Sequence, residues 1–448
     1  MADTAPDPNE LAGDLVARAC KAGADAADAL YFKSAALSHA QRLGEIEKLE
    51  RAESTDLGLR VFVGQRQAIV STTDHSPAAI SELVERAVAM ARVVPEDPHT
   101  GLAPPELAAG DFPDLDLIDA VEPSPEALIG LAREAENAAR AVKGITNSEG
   151  AEASWSRVDI ALATSNGFSG AYGFTRHGVG VSVLAGEGTA MERDYDWASA
   201  VHAGDLRSAA EVGKEAGERT VKRLNPHKVQ TAKLPIVYDR RVSGGMLGHL
   251  TSAISGAAVA RGTSFLKDRL GKAVFPESIT VIDEPHRARG LRSKPFDGEG
   301  VACEKRALID KGVLTTWLLD MRSANQLGMT TTGHASRGTG GPPSPSATNL
   351  VMQPGRTNTK SLIGDIKEGL YVTELIGFGV NQVTGDYSRG AGGFWIQNGE
   401  LTYPVSEVTI AGNLVEMFAK ITAADDLEIR YGVDAPTLRI DGMTIAGS

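Results

Sequence analysis

Apolar residues recur at helical spacing in some stretches of this chain and alternate at strand spacing in others. Leu11, Leu15, Ala19 and Ala22 line one face of a predicted helix over 9–22, and Gly23 is placed to stop it. From 59 to 71 the pattern turns to alternation. Val61 and Val63 precede Gly64-Gln65-Arg66, and Ala68 and Val70 follow, which predicts two extended runs joined by a turn. Ser76-Pro77 caps a second helix whose buried stripe is Ile80, Leu83, Val84, Ala87 and Met90. A third starts at Ser124-Pro125 and presents Leu128, Leu131, Ala135, Ala138 and Val142. Strands follow at 158–163 and around Val179, Val181 and Val183, and another helix at 206–224. Residues 95–125 hold seven prolines and many acids, the pattern of an ordered connecting loop.

After Lys228 the texture changes. Pro235-Ile236-Val237 opens a strand, and a helix of small residues runs from Ser243 to about Ala260. Beyond it lie short apolar runs separated by Gly, Pro, Asn and Asp. Examples are 314–319, 371–375, 405–410 and 438–445, the last with Asp441-Gly442 inside. The reading is an α+β protein. An N-terminal α/β domain with helices on a mixed sheet covers 1–227, and a β-rich C-terminal domain covers 228–448. A length of 448 residues also favours more than one core.

A formal net charge of -13 excludes a protein that wraps nucleic acid or sits on an anionic membrane. Two cysteines, Cys20 and Cys303, are too few for a disulfide framework and fit a reducing compartment. The opening residues have neither the basic region nor the apolar core of a signal peptide. No stretch approaches the roughly 20 apolar residues of a membrane span. The expected location is the cytoplasm.

Residue patterns that would carry chemistry are few. No two of the nine histidines lie within ten residues of each other, so no helical His pair for zinc exists. Asp283-Glu284-Pro285-His286 gathers ligand types, but its proline favours a turn. Ser264-Phe265-Leu266-Lys267 matches S-x-x-K and Ser323-Ala324-Asn325 resembles the second element of serine acyl-enzymes, yet Lys-Thr-Gly is absent. Gly338 to Pro343 carries prolines that remove the N–H donors a phosphate cradle needs, so it reads as a surface turn or cleft rim. Gly390 to Gly393 reads as a hinge between strands.

Longer motifs carry a resemblance. They include Gly248-His249-Leu250, Ala260-Arg261-Gly262-Thr263-Ser264-Phe265-Leu266, Pro295-Phe296-Asp297-Gly298-Glu299-Gly300-Val301, Thr332-Gly333-His334-Ala335, Val383-Thr384-Gly385-Asp386-Tyr387-Ser388-Arg389, and Thr409-Ile410-Ala411-Gly412-Asn413. Thr175-Arg176-His177 and Met191-Glu192-Arg193-Asp194-Tyr195 extend it into the N-terminal half. Together they resemble the TldD/PmbA family, and within it the PmbA (TldE) branch.

The TldD branch resembles a metallopeptidase with an HExxxH helix and a distant cysteine ligand. Aligned on Arg261-Gly262-Thr263-Ser264, the HExxxH positions fall on Leu247, Gly248 and Ser252, and the distant position close to Thr422. Leu and Gly offer no donor, and neutral hydroxyls are weak zinc ligands. The resemblance therefore implies a subunit without catalytic residues, metal or cofactor of its own, with zinc held by a TldD-like partner. The two chains would share a cleft for unfolded or short peptides, received along a sheet edge as an added strand. His249, Thr263, Ser264, His334, Tyr387, Ser388 and Arg389 are the implied cleft residues. Tyr387, Ser388 and Arg389 offer donors to a peptide carbonyl or carboxylate. The family link extends to peptide maturation and to modulation of DNA gyrase. The competing readings are a homodimeric peptide-binding protein without catalysis and a serine acyl-enzyme at Ser264.

Overall fold

A computed structural model describes residues 7–447, so most of the opening stretch weighed as a signal peptide lies outside the described residues. Four helices of the first half each begin on a capping side chain: α1 (Pro8–Lys21) on Asp7, α2 (Pro77–Val93) on Ser76, α3 (Pro125–Arg140) on Ser124 and α4 (Ala209–Lys222) on Ser208. Gly23 follows α1 at φ 102°, and the amides of Gly23 and Ala24 reach back to Cys20 and Ala19, closing the helix as its position predicted.

The strands of this half are β1 (Ala26–Arg42), β2 (Glu45–Val63), β3 (Arg66–Thr72), β4 (Ile145–Thr164), β5 (Ser169–Ala185) and β6 (Glu192–Ala200). They form one sheet in the order β3-β2-β1-β4-β5-β6, and every pair is antiparallel. The mixed sheet expected here is thereby corrected. Short turns join β1 to β2, β2 to β3, β4 to β5 and β5 to β6, and such turns make antiparallel pairs. The helices are not crossovers between parallel strands; they lie on one face. Ala27, Ala29, Leu57, Leu59 and Val61 pack with α1 and α2, while Trp155, Val179, Val181 and Val183 pack with α3 and α4. The opposite face is also covered, because Leu30, Leu162 and Phe168 meet Phe296 of the second half.

The second half contains β7 (Ala232–Tyr238), α5 (Arg240–Ala253), α6 (Gly256–Ala260), β8 (Val281–Asp283), β9 (Arg306–Asp310), β10 (Val313–Leu314), α7 (Met321–Leu327), β11 (Ala335–Ser336) and β12 (Ser344–Pro345). It continues with β13 (Leu350–Met352), α8 (Thr359–Ile363), β14 (Glu368–Ile376), β15 (Asp386–Gln397), β16 (Glu400–Asn413), α9 (Leu414–Ala419), β17 (Ile421–Ala423), β18 (Val433–Asp434) and β19 (Leu438–Ala446). It is rich in strands, as read, and the whole chain is α+β. One sheet runs β16-β15-β14-β7-β19-β17, and β16 pairs with β19 as well, so its main strands close into a ring. Asp441-Gly442 sits where β19 shifts register against β7, between Ile440 and Met443. A second sheet, β10-β9-β8-β13-β18, packs beside the ring, and the largest core cluster fills the space between them with α5 and α9.

Several local expectations change. In α3 the buried stripe is Leu128, Ala132, Ala135, Glu136 and Ala139, one position on from the predicted Leu131 and Ala138. Met90 of α2 is exposed, its place in the core taken by Val88 and Ala91. The small-residue helix breaks in two. Ser255 is extended, and the amides of Leu318 and Gly256 bond Ile254 and Leu318 instead of the helix. Gly390 to Gly393 is no hinge: it lies within β15, where a Cβ on Gly393 would come 1.9 Å from the Tyr371 carbonyl. The 95–125 connector is ordered, and it pairs main chain with the second half at Leu107, Ala109, Gly300 and Ala302. No helix among the described residues is long and apolar enough to cross a membrane.

Candidate functional site

Asp239 ends β7 and caps α5, accepting from the Arg241 amide at 2.8 Å and from the Tyr371 hydroxyl at 2.8 Å. That cap fixes the rotation of the helix. Ser243, Met246, Leu247, Leu250 and Ala253 then face the core, and Gly248, Thr251, Ser252 and Ser255 face a cavity of about 560 Å³. Thr263 lines the same cavity. Arg292, Leu318, Ala347, Gln382 and Val383 form other parts of its wall. Among the described residues no acid lines it, while Arg261 and Arg292 do, which makes the wall basic.

The four positions implied as a degenerate metal site do not converge. Leu247 is fully buried in the core. Gly248 and Ser252 border the cavity, and the Ser252 hydroxyl donates to the Gly248 carbonyl at 2.9 Å. Thr422 is exposed on β17, between core-facing Ile421 and Ala423, and does not border the cavity. A zinc ion needs three or four donors on one tetrahedron. An aliphatic chain, a bare glycine and two separated hydroxyls do not fit it. No group of three His, Cys, Asp or Glu side chains among the described residues could hold a metal.

The implied cleft residues divide. Thr263 borders the cavity and donates to the Ala258 carbonyl at 3.2 Å. Ser264 is buried, donating to Ala253 and accepting from the Leu266 amide at 3.0 Å, so its oxygen is committed to the fold. Lys267, its S-x-x-K partner, is exposed, and Ser323 is held by Asp320 in the cap of α7. These bonds give the serine pattern a structural role. His334 is buried between Thr332, at 2.8 Å from Nδ1, and Asp283, at 3.3 Å from Nε2. Asp283 also accepts from Thr348 through both oxygens, while Glu284 pairs with Arg287 and Lys305, so the Asp283–His286 stretch is satisfied without an ion. Ser388 is exposed, on the face of β15 opposite Tyr387 and Arg389.

His249, Tyr387 and Arg389 do come together. The His249 and Tyr387 rings meet edge to face at 5.7 Å. Burial, with the Arg389 charge adding to it, pushes the His249 imidazole down to about 4, so the ring is neutral at pH 7. Burial likewise raises the Tyr387 phenol, and a hydrogen bond with Tyr238 and the Arg389 charge oppose that shift.

Among the described residues no long strand edge borders this cavity. The ring closes through β16 and β19, and the start of β15 is covered by Asn413 to Ile410 on one side and by Gly379 and Val380 on the other. The strands that border it are two short edge strands, at Pro345 of β12 and Val433 of β18, with helix and loop forming the rest of the wall.

Sequence reasoning missed Arg292 and Gln382, which stand in loops without a periodic pattern. It also missed a buried ionic cluster that joins the halves. Asp28 and Arg60 lie in β1 and β2 on the face away from the helices and meet Arg337 and Glu299. Their polarity among alternating apolar residues was the available signal, and it reads equally well as a solvent face.

Family models match nearly all of this architecture. The PmbA/TldA metallopeptidase domain 1 matches residues 27–91, the central domain 118–224 and the C-terminal domain 231–447. The metalloprotease PmbA of Escherichia coli O157:H7 is 41% identical over 425 residues, covering 94% of this chain and 92% of the relative. A TldD homologue of Haemophilus influenzae matches less of it, 26% identical over 298 residues, 60% of this chain and 61% of the relative. A crystal structure from Bacteroides thetaiotaomicron, described as a candidate modulator of DNA gyrase, superposes with a TM-score of 0.90 at 30% identity, covering 98% of each chain. TldE from Thermococcus kodakarensis shares the fold, with a TM-score of 0.87 at 20% identity over 98% of this chain and 100% of that one. This chain belongs to the PmbA/TldD metallopeptidase family.

Proposed function

We propose that this chain is the non-metal-binding subunit of a two-chain peptidase, forming one wall of a cleft that takes unfolded or short peptides. The observation that carries this is the outer face of α5. It borders a large basic cavity where relatives of the TldD type would hold zinc, and it presents only glycine, serine and threonine there. Small side chains let a peptide backbone approach closely, and the arginines of the wall suit its carbonyl oxygens. A separate TldD-type chain supplies the zinc and the general base, so no step of hydrolysis is assigned to residues of this chain. We further propose that its domains meet near residue 228, which no sheet crosses, and that it works in the cytoplasm, in keeping with free Cys20 and Cys303.

The test uses the purified full chain, alone and mixed with a TldD-type chain. Alone it should hold no stoichiometric zinc by elemental analysis and cleave no unfolded peptide. The mixture should run as a new complex in light scattering and cleave peptide in a chelator-sensitive way. About one tightly held zinc per lone chain would overturn the proposal. So would a self-paired chain that binds peptide and forms no complex with the second subunit.

A further inference from the structure

The first half of β2 is a strand with one open edge. β1 pairs with β2 from Phe62 to Glu45, whereas β3 pairs only with Leu57 to Val63. Among the described residues no strand or bridge covers the other side of 45–56, and every residue of 45–54 is exposed. The exposed set includes Ile46 at 59% and Leu49 at 49%. Unpaired N–H and C=O groups along such an edge form a template for another strand. The edge is also held in place. Fully buried Glu136 of α3 accepts from the amides of Leu43 and Gly44 at 2.6 and 3.0 Å and from the Gln41 side chain at 2.8 Å, which pins the turn between β1 and β2. A partner strand therefore meets backbone already ordered for pairing.

The turn after β2 sets the direction of the free groups. Gly64-Gln65 joins Val63 to Arg66 as a two-residue hairpin, with Gly64 at φ 59°, so Val63 turns its backbone groups toward β3. Alternation along the unshifted stretch 48–62 turns Leu49, Arg51, Glu53 and Thr55 the same way, into the open edge. When the added strand is β2 of a second copy, the two-fold axis passes through a residue that faces itself. β3 limits the overlap. With the axis at Arg51 or beyond, the second copy would intrude on the place beside Leu57 that Thr72 holds. An axis at Glu50, Lys48 or Glu47 sets like charges face to face, and one nearer the turn leaves few residues to pair. The axis at Leu49 avoids all of these. It sets Leu49 on Leu49, and Lys48 of each copy opposite Glu50 of the other. Further out, Arg51 faces Glu47 and Ala52 faces Ile46, where β2 is bulged against β1.

We propose that 46–52 of β2 is an interface between two copies of this chain, joined edge to edge as antiparallel strands about an axis at Leu49, so that two six-stranded sheets become one. Within one copy Lys48 and Glu50 already lie 2.5 Å apart on one face of the strand. In the pair each also meets its opposite across the axis, giving four charges of alternating sign. On the other face the two exposed Leu49 side chains cover each other from water. No residue of this edge lines the cavity beside α5, so the self-pair leaves that cavity open and does not depend on the cleft reading. In the presence of a TldD-type chain the assembly holds two copies of each.

The experiment is sedimentation velocity of the full chain over a concentration series, with the thermal unfolding of each variant measured beside it. The altered side chains are all exposed, so every variant should unfold as the unaltered protein does once both are monomeric. The unaltered chain should sediment as a dimer that dissociates on dilution, and Leu49→Lys should sediment as a monomer. Lys48→Glu and Glu50→Lys should each weaken the dimer about tenfold, because each sets two like-charge pairs across the axis. Combining the two substitutions in one chain should restore it, since every pair is again of opposite sign. A monomer at every concentration would overturn the proposal. A dimer that Leu49→Lys leaves intact would do the same, by placing the contact on another surface. Single charge variants that weaken the dimer, with a double variant no stronger than either, would overturn the axis at Leu49. A chain that is monomeric alone and loses its complex with a TldD-type chain on Leu49→Lys would assign the edge to that subunit and not to a second copy.

Discussion

Arg337 donates from Nη1 to the Asp28 carboxylate at 2.6 Å, joining residues 309 positions apart across the two halves of the molecule. Both side chains are only 1% exposed, and Arg60 binds the other carboxylate oxygen, at 2.7 Å from its Nε. Burial opposes the charge on Asp28, but the two guanidiniums outweigh it and hold the carboxyl below its ordinary range. The single aspartate thus keeps two buried cations tolerable.

Asp28→Ala should lower stability by about 3–5 kcal/mol, because it strands Arg60 and Arg337 in the interior. The measurement is the urea midpoint at pH 7. The native carboxyl titrates lower than the unfolded one. Its contribution is therefore complete above the ordinary aspartate range and is lost as pH falls through the native value. The gap between Asp28→Asn and the unaltered protein should accordingly narrow in acid. A loss below about 1 kcal/mol for Asp28→Ala would show that the contact between the halves does not depend on this cluster.

Glu299 behaves in the opposite sense. It accepts from the Met321 amide at 2.8 Å and lies 3.6 Å from Arg60, yet burial dominates and raises its carboxyl from 4.5 to about 8. The native state then holds a proton that the unfolded chain has released, so this group's stabilising contribution falls as pH rises from about 4.5 to about 8 and levels off above. Glu299→Gln keeps a neutral acceptor and should gain on the unaltered protein steadily between pH 5 and pH 8. A gap that stays constant across urea titrations at those pH values would sink the idea.

Two glycines of the broken helix should respond with opposite signs. A Cβ on Gly245 meets nothing within 4 Å, so Gly245→Ala should stabilise by about 0.5–1 kcal/mol through helix propensity. A Cβ on Gly256 would come 2.4 Å from Leu319 and 2.7 Å from the Ser323 hydroxyl, so Gly256→Ala should cost about 1–3 kcal/mol. Thermal unfolding of the pair decides it; the same sign for both would contradict the packing of α6 on α7.

Ser264→Ala should lower stability by about 1–2 kcal/mol, since it removes the bonds to Ala253 and Leu266 from a buried turn. An active-site-directed acylating probe should label neither the variant nor the unaltered protein. Labelling that disappears with Ser264→Ala would restore the nucleophile that the burial of its oxygen argues against.

Much of this protein was legible in its sequence, and the reason is local. Caps at Ser76 and Ser124, the Gly64-Gln65 turn and the Asp441-Gly442 interruption act within a few residues and keep their meaning in any fold. That the Leu247 and Gly248 side chains offer no donor atom is likewise local, since no fold can change it. What only the tertiary structure decided is the side to which each polar group turns. Tyr387 and Ser388 are neighbours in the chain, yet one is buried against His249 and the other meets solvent. Asp28 and Arg60 are polar positions between apolar neighbours, and Arg337 and Glu299 arrive from the far half to bury them. Periodicity gives the two faces of an element, but whether a face meets water or another part of the chain depends on contacts hundreds of residues away.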